Sequence, residues 1–210
     1  MIAIILASGA GSRLMPLTKD IPKSLVRVNE KTIIDMEIEN ILYCGINRFI
    51  ITTGYKEDKL RNYVRESYPD LDVIFVENEK YDSTNYIYSM WLTKNFIDDD
   101  VLLLHGDMVF DKELLKKLLN AKSSTSVLVN NKIEPPEKDF KAVIENNIVK
   151  KIGVHFLGNN AYFSAPIYKL EKARFIRWLE EIDCFIRNGN IKCYAEDAFN
   201  KISDEIRLWR

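Results

Sequence analysis

Five short apolar runs, separated by stretches of helical periodicity, constrain this chain more than any other feature. The runs are Ile2–Ala7, Arg48–Thr53, Asp72–Val76, Val101–His105 and Ser126–Asn130; the periodic stretches are Thr32–Cys44, Lys56–Ser67, Thr84–Asn95 and Lys112–Ala121. The segments between runs are too long for hairpins. A strand–helix alternation of this kind predicts parallel strands joined by right-handed crossovers, with both sheet faces covered. In Thr32–Cys44 the spacing gathers Ile34, Ile38, Ile41 and Leu42 on one face, while Glu37 and Asn40 point elsewhere.

The pattern loosens after Asn131. Pro135-Pro136 marks a break, and Phe140–Glu145 and Ile148–Ile152, joined by Asn146-Asn147, read as a short antiparallel hairpin. Ala161–Pro166 reads as a further strand, Leu170–Arg187 as a long amphipathic helix, Ala195–Ile202 as a short helix and Glu205–Trp209 as the start of a strand. Neither repeats nor a linker interrupt the chain, so residues 1–210 are expected to form one α/β domain with a small β-rich insertion.

Composition removes several classes of function. Thirty basic residues against 31 acidic ones leave a net charge of −1, without the positive excess that holds a nucleic-acid backbone. The longest apolar run, Met1–Ala7, is far short of a membrane span and lacks a basic flank, so neither an anchor nor a signal peptide is expected. Cys44, Cys184 and Cys193 show no CxxC spacing, which points to a reducing, cytoplasmic setting without disulfides or zinc. His105 and His155 are too few for a histidine metal cage. The chemistry is left to carboxylates, lysine, arginine and backbone.

The segment Leu6-Ala-Ser-Gly-Ala-Gly-Ser-Arg-Leu-Met-Pro-Leu-Thr18, followed by Pro22-Lys-Ser-Leu25, begins where the first strand ends. Ligands bind at that place in open parallel sheets. Gly9 and Gly11 let backbone N–H groups approach phosphate oxygens, Arg13 offers a fixed cationic fork and Lys23 a movable point charge. A P-loop requires GxxxxGK[ST], which is absent. A dinucleotide loop requires a third glycine where Leu14 stands, and Asp35, near the expected acid, falls on a helix. A plain tight turn explains the two glycines but not the arginine and Pro-Lys-Ser-Leu behind them.

GAGSRLMPLT…PKSL resembles the signature loop, approximately GxGxRxxPLT…PKxL, of the nucleotidyltransferases that activate sugar phosphates, phosphocholine and similar small phosphates. The likeness continues in order through Thr53-Gly54-Tyr55, Asn85 with Ser89, and Gly106-Asp107, to about Glu196-Asp197. Tyr81–Ser89 and the short length are most similar to the phosphocholine and phosphoglutamine cytidylyltransferases. The resemblance implies an α/β fold with a mostly parallel, Rossmann-like sheet, a nucleotide-binding part over residues 1–130 and an acceptor-binding part over 131–210. It implies transfer of a cytidylyl group from CTP to a small phosphorylated acceptor, with release of pyrophosphate, for surface polysaccharide modification. Sugar-1-phosphate transfer from UTP or dTTP, and a non-catalytic nucleotide-binding domain, stand as alternatives.

By the same resemblance, Arg13 holds the leaving pyrophosphate and Lys23 lies near the α-phosphate and the acceptor phosphate. Asp107, at a strand's carboxyl end, is the expected Mg²⁺ ligand; Asp111 suits the cap of the next helix. Ala7, Ser8, Gly9, Gly11, Asn85 and Ser89 form the expected nucleotide pocket, Asn85 with the donor and acceptor that cytosine's edge needs. For the acceptor, Tyr162, Glu196 and Asp197 are the candidates, with Tyr168 and Tyr194 as further aromatic partners for an ammonium group. Glu196-Asp197 equally suits an acidic first helical turn, and Trp178 reads as core. The family's second metal carboxylate, in a Glu-Ile-Asp segment after a late strand, has no counterpart up to Arg210, and Asp197 and Asp204 precede that strand. A C-terminally shortened acceptor part is the expectation.

Overall fold

The computed structural model describes residues 1–210. Its first half follows the alternation. β1 (Ile2–Leu6) leads through the glycine loop to a minor ribbon, β2 (Arg27–Val28) and β3 (Lys31–Thr32). Then come α1 (Ile33–Tyr43), β4 (Arg48–Thr53), α2 (Glu57–Ser67), β5 (Asp72–Glu77), α3 (Tyr86–Leu92), β6 (Val101–His105), α4 (Lys112–Leu119) and β7 (Ser126–Asn130). The second half adds the hairpin β8 (Lys141–Glu145) and β9 (Ile148–Gly153), the long strand β10 (Ala161–Leu170), α5 (Lys172–Arg187) and α6 (Ala195–Ile206).

The main sheet has the order β5-β4-β1-β6-β10-β8-β9, with β7 also on β10. The pairs β5–β4, β4–β1 and β1–β6 are parallel. Period-two alternation then sorts β1 between two cores. Ile2, Ile4 and Leu6 join Leu103, Tyr168, Trp178 and Phe199 in the larger one. Ala3, Ile5 and Ala7 join Ile34, Ile38 and Ile41 of α1, Leu60 of α2 and Leu115 of α4 in the smaller. Helices therefore cover both faces, as expected.

Two expectations are corrected. β7 runs in the same direction as β6 but does not pair with it: β10 lies between them, antiparallel to both, a placement set by long-range pairing that strand–helix order does not encode. β10 is ten residues long, with its register shifting between Ala165 and Tyr168 around Pro166, which has no N–H to donate. Glu205 is helical, because α6 continues past a non-helical Ile202 to Ile206. Pairing begins only at Leu208, which accepts from Val149 N at 2.8 Å, and Trp209 bridges Ser126 and Ile148. Trp209 thus links β7 to β9 across the end of the hairpin. The hairpin itself turns on Asn146 and Asn147, whose φ values of 52° and 65° suit the twist of a two-residue connection.

Candidate active site

The parallel register sets Leu6 beside His105, so the loops after β1 and β6 leave the sheet together. Gly106 donates its N–H to Leu6 O at 2.9 Å, and a Cβ there would lie 2.7 Å from that of Ala7. Above this junction opens a cleft of about 610 Å³. Ala7, Ser8, Gly9, Gly11, Arg13, Lys23, Asp107 and Asn85 all line it. Gly11 holds φ +63° at the start of the 3₁₀ turn Ser12–Leu14, its carbonyl accepting from Thr18 Oγ1 at 2.9 Å. That turn presents Arg13 at the exposed mouth. A second 3₁₀ turn, Lys23–Leu25, buries Ser24 and Leu25 and leaves Lys23 facing the cleft, where its ammonium pairs with the Asp107 carboxylate. The two expected catalytic and metal-binding groups, 84 residues apart in sequence, meet in one ion pair.

Ser89 does not reach the cleft. It is fully buried, with its hydroxyl 2.6 Å from Ser8 Oγ and 2.9 Å from the donating Asn78 Nδ2. The chain Asn78–Ser89–Ser8 ties α3 to the glycine loop, so Ser89 shapes the nucleotide pocket from behind. Asn85 caps α3, its Oδ1 accepting from Tyr86 N at 2.8 Å and its Nδ2 donating to Lys192 O at 3.3 Å. An amide carries two N–H groups and two lone pairs, which leaves one of each for a ligand.

The acceptor residues are redistributed. Glu196 is buried and accepts from the hydroxyls of Tyr86 and Tyr168, the latter at 2.7 Å. Asp197 caps α6, accepting from Tyr194 N at 2.9 Å. Tyr162 packs on the larger core, and its neighbour Phe163 faces the cleft instead, as strand alternation requires. Asp204 pairs with Lys150 on the surface. What does line this end of the cleft is an aromatic wall. Tyr86 lies 4.4 Å from His105 and 6.0 Å from Tyr194, and Phe140 lies 5.1 Å from Tyr194, all centroid to centroid. Burial pushes the Tyr86 and Tyr168 hydroxyls well above their usual range, and the charge of Glu196 adds to it. Tyr86 and His105 lie in segments the sequence analysis noted, and Phe140 just before β8, but nothing in the sequence brings these three rings to one end of the cleft.

Burial lowers the His105 pKa, Lys23 adding to the fall while Glu196 and Asp107 oppose it. The unfolded chain takes up this proton near pH 6.5 and the folded chain only at lower pH, so acid favours unfolding. The stability held by neutral His105 is complete above about pH 6.5 and is lost as pH falls through the folded value. Melting temperatures between pH 7.5 and 5 are expected to fall more steeply for the unsubstituted chain than for His105→Phe. Parallel curves would show that His105 does not contribute.

A glycine loop, two cations and a carboxylate thus gather at the carboxyl ends of a parallel sheet, the place where open α/β folds bind their ligands. Residues 2–147 match the model of the nucleotidyl transferase family, and the chain belongs to that family. It is 40% identical over 136 residues to the CTP:phosphoglutamine cytidylyltransferase of Campylobacter jejuni, over 62% of this chain and 53% of that protein. It is 39% identical over 110 residues to the choline-phosphate cytidylyltransferase of Streptococcus pneumoniae, over 52% of this chain and 46% of that protein. The chain spans about half the length of these two relatives. The solved CTP:phosphocholine cytidylyltransferase of Streptococcus pneumoniae superposes with a TM-score of 0.78 at 25% identity, covering 99% of this chain and 88% of that one. No helix is long and apolar enough to cross a membrane.

Proposed function

We propose that this chain transfers a cytidylyl group from CTP to a small phosphorylated acceptor of the phosphocholine or phosphoglutamine kind. An oxygen of the acceptor phosphate attacks the α-phosphorus of CTP, the bond to the β-phosphate oxygen breaks, and pyrophosphate leaves. The observation that carries this reading is the Lys23–Asp107 pair, set between the glycine loop and the aromatic wall of one cleft.

Two anions must approach each other in such a reaction, and the protein's task is to align them and compensate their charge. The glycine loop receives the triphosphate on backbone N–H groups. Arg13, on its 3₁₀ turn, meets the β- and γ-phosphates as they become pyrophosphate. Lys23 leaves Asp107 and turns to the α-phosphate and the incoming phosphate, where negative charge is greatest. Magnesium fits the donor set, since it commonly takes one or two carboxylates and completes its shell from phosphates and water. Asp107 would hold it, and it would neutralise phosphate charge there. Tyr86, Phe140 and Tyr194 present ring faces to an acceptor carrying an ammonium group.

Asn85 reads the base in this account. Its free amide hydrogen can donate to cytosine N3, whereas uracil N3 carries a hydrogen of its own. Asn85→Ala is expected to narrow the preference for CTP over UTP by about tenfold, measured as the ratio of kcat/KM values. An unaltered ratio assigns base reading elsewhere. The activity itself is tested by pyrophosphate release from CTP with phosphocholine or phosphoglutamine. Nucleotide binding without release from any acceptor would contradict it.

A further inference from the structure

Glu37 is the one carboxylate buried to 0% exposure beneath the cleft, and the reaction outlined above makes no use of it. It lies on α1 at the edge of the Ile34–Ile38–Ile41 face, three residues after Ile34 and four before Ile41. Its Oε1 accepts from Met108 N at 2.8 Å, and its Oε2 is buried without a hydrogen-bond partner. One turn further along α1, Asn40 donates from Nδ2 to Phe110 O, also at 2.8 Å. Two side chains three residues apart project from the same side of a helix. Here they grip alternate residues of the loop that follows β6, immediately after Asp107.

α1 is itself held firmly. Thr32 and Asp35 form a reciprocal cap at its start, and Asp35 also accepts from the hydroxyls of Tyr63 at 2.6 Å and Tyr68 at 3.0 Å. The Lys23–Leu25 turn connects to the same helix, with Ile33 N donating to Val26 O at 3.0 Å and Leu25 packed in α1's core. One rigid element thus fixes both the turn that bears Lys23 and the loop that bears Asp107. A buried glutamate is expensive to keep, and burial drives its pKa well up, with the charge of Asp107 pushing the same way while the Met108 bond and Lys23 pull it down. For packing alone, an apolar residue would serve this helix better.

We infer that Glu37, with Asn40 one turn on, is a positioning residue that holds the Asp107–Met108 loop so that the Asp107 carboxylate faces Lys23. The role rests on the cytidylyl-transfer reading only for its kinetic consequence. The hydrogen bond itself can be tested without turnover.

Three variants of the full chain separate positioning from packing. Glu37→Gln keeps a carbonyl oxygen for Met108 N, Glu37→Leu keeps volume without an acceptor, and Asn40→Ala removes the second grip at a half-buried site. Hydrogen exchange at the Met108 amide is expected to stay slow in Glu37→Gln and to accelerate in Glu37→Leu. With CTP and acceptor, kcat should fall about 10- to 100-fold in Glu37→Leu, less in Asn40→Ala, and stay within about threefold in Glu37→Gln, while KM for CTP changes little. If Glu37→Leu does not fold, Asn40→Ala with Glu37→Gln carries the comparison. Fast Met108 exchange in the unsubstituted chain, a Glu37→Gln variant whose kcat falls as far as that of Glu37→Leu, or kcat unchanged in both Glu37→Leu and Asn40→Ala would each overturn the inference. If the unsubstituted chain releases no pyrophosphate at all, the proposed activity fails, and the exchange result still decides whether Glu37 holds the loop.

Discussion

Replacing Lys23 with alanine is expected to lower turnover by about 10²- to 10³-fold while CTP binding changes only a few-fold. The asymmetry follows from where the ammonium stands. The Lys23–Leu25 turn is anchored by buried Ser24 and Leu25, so the lysine side chain is delivered to the cleft lining rather than left on a free loop. Before substrates arrive its charge is answered by Asp107. As the acceptor phosphate closes on the α-phosphorus, negative charge concentrates at that point, and a cation is worth most there. In the proposed reaction the glycine loop and Arg13 hold the triphosphate without it. Steady-state kinetics with a separate binding titration check the split. Turnover unchanged, or loss confined to CTP affinity, would remove Lys23 from the chemistry.

Gly11→Ala is expected to be nearly as damaging to activity, although the residue carries no functional group. At φ +63° an L-residue is strained by about 1–2 kcal/mol. The added methyl would also stand 2.8 Å from Lys23 Cβ and 3.2 Å from both Lys23 Cγ and Thr18 Cγ2. The near end of the lysine, not its flexible tip, must then move. A displacement of that kind at a catalytic cation costs about 10²-fold in rate. The melting temperature should drop by only a few degrees, because the loop lies outside both cores. Full activity in Gly11→Ala would show that the loop tolerates a shift of Lys23.

Much of this architecture is legible in sequence because its signals are local. The apolar runs of β1, β4, β5 and β6 and the stripe Ile34–Ile38–Ile41 report their own periodicity, and Gly9 to Leu25 is a compact motif with a physical purpose. What stayed hidden depends on distant partners. β10 slips between β6 and β7 through pairings more than 60 residues away from β6 in sequence, for instance Ile167 with Leu104. Glu37, set apart from the apolar stripe when read in sequence, is fully buried, and nothing near it in the chain announces the loop that will cover it. Glu196 was sought at the acceptor and lies one layer back, where two tyrosine hydroxyls satisfy it. Tyr162 and Phe163 differ only by strand parity, and the irregular register of β10 around Pro166 keeps that parity from being read reliably.

These misplacements share a direction: polar side chains taken for ligand contacts proved to be the supports behind them. Ser89 braces Ser8, Asp197 caps the helix beside Tyr194, and Glu196 steadies Tyr86. Among the groups that do line the cleft, the proposed reaction assigns Arg13 and Lys23 to phosphates, Asp107 to charge compensation, Asn85 to the base and the rings to the acceptor. That division is what a phosphate-joining reaction requires, since it asks for placement of charges more than for a nucleophile of the protein's own.

The most direct measurement follows the α-phosphorus. CTP labelled with ³²P at the α-position is incubated with the 210-residue chain, magnesium and either phosphocholine or phosphoglutamine, beside parallel reactions with labelled ATP, GTP and UTP. The account predicts that label moves from CTP into a CDP-linked product of one of these acceptors, with an equal amount of unlabelled pyrophosphate, and that the other nucleotides yield far less. Label that remains in CTP with both acceptors, appears only as CMP, or transfers preferentially from UTP would contradict it.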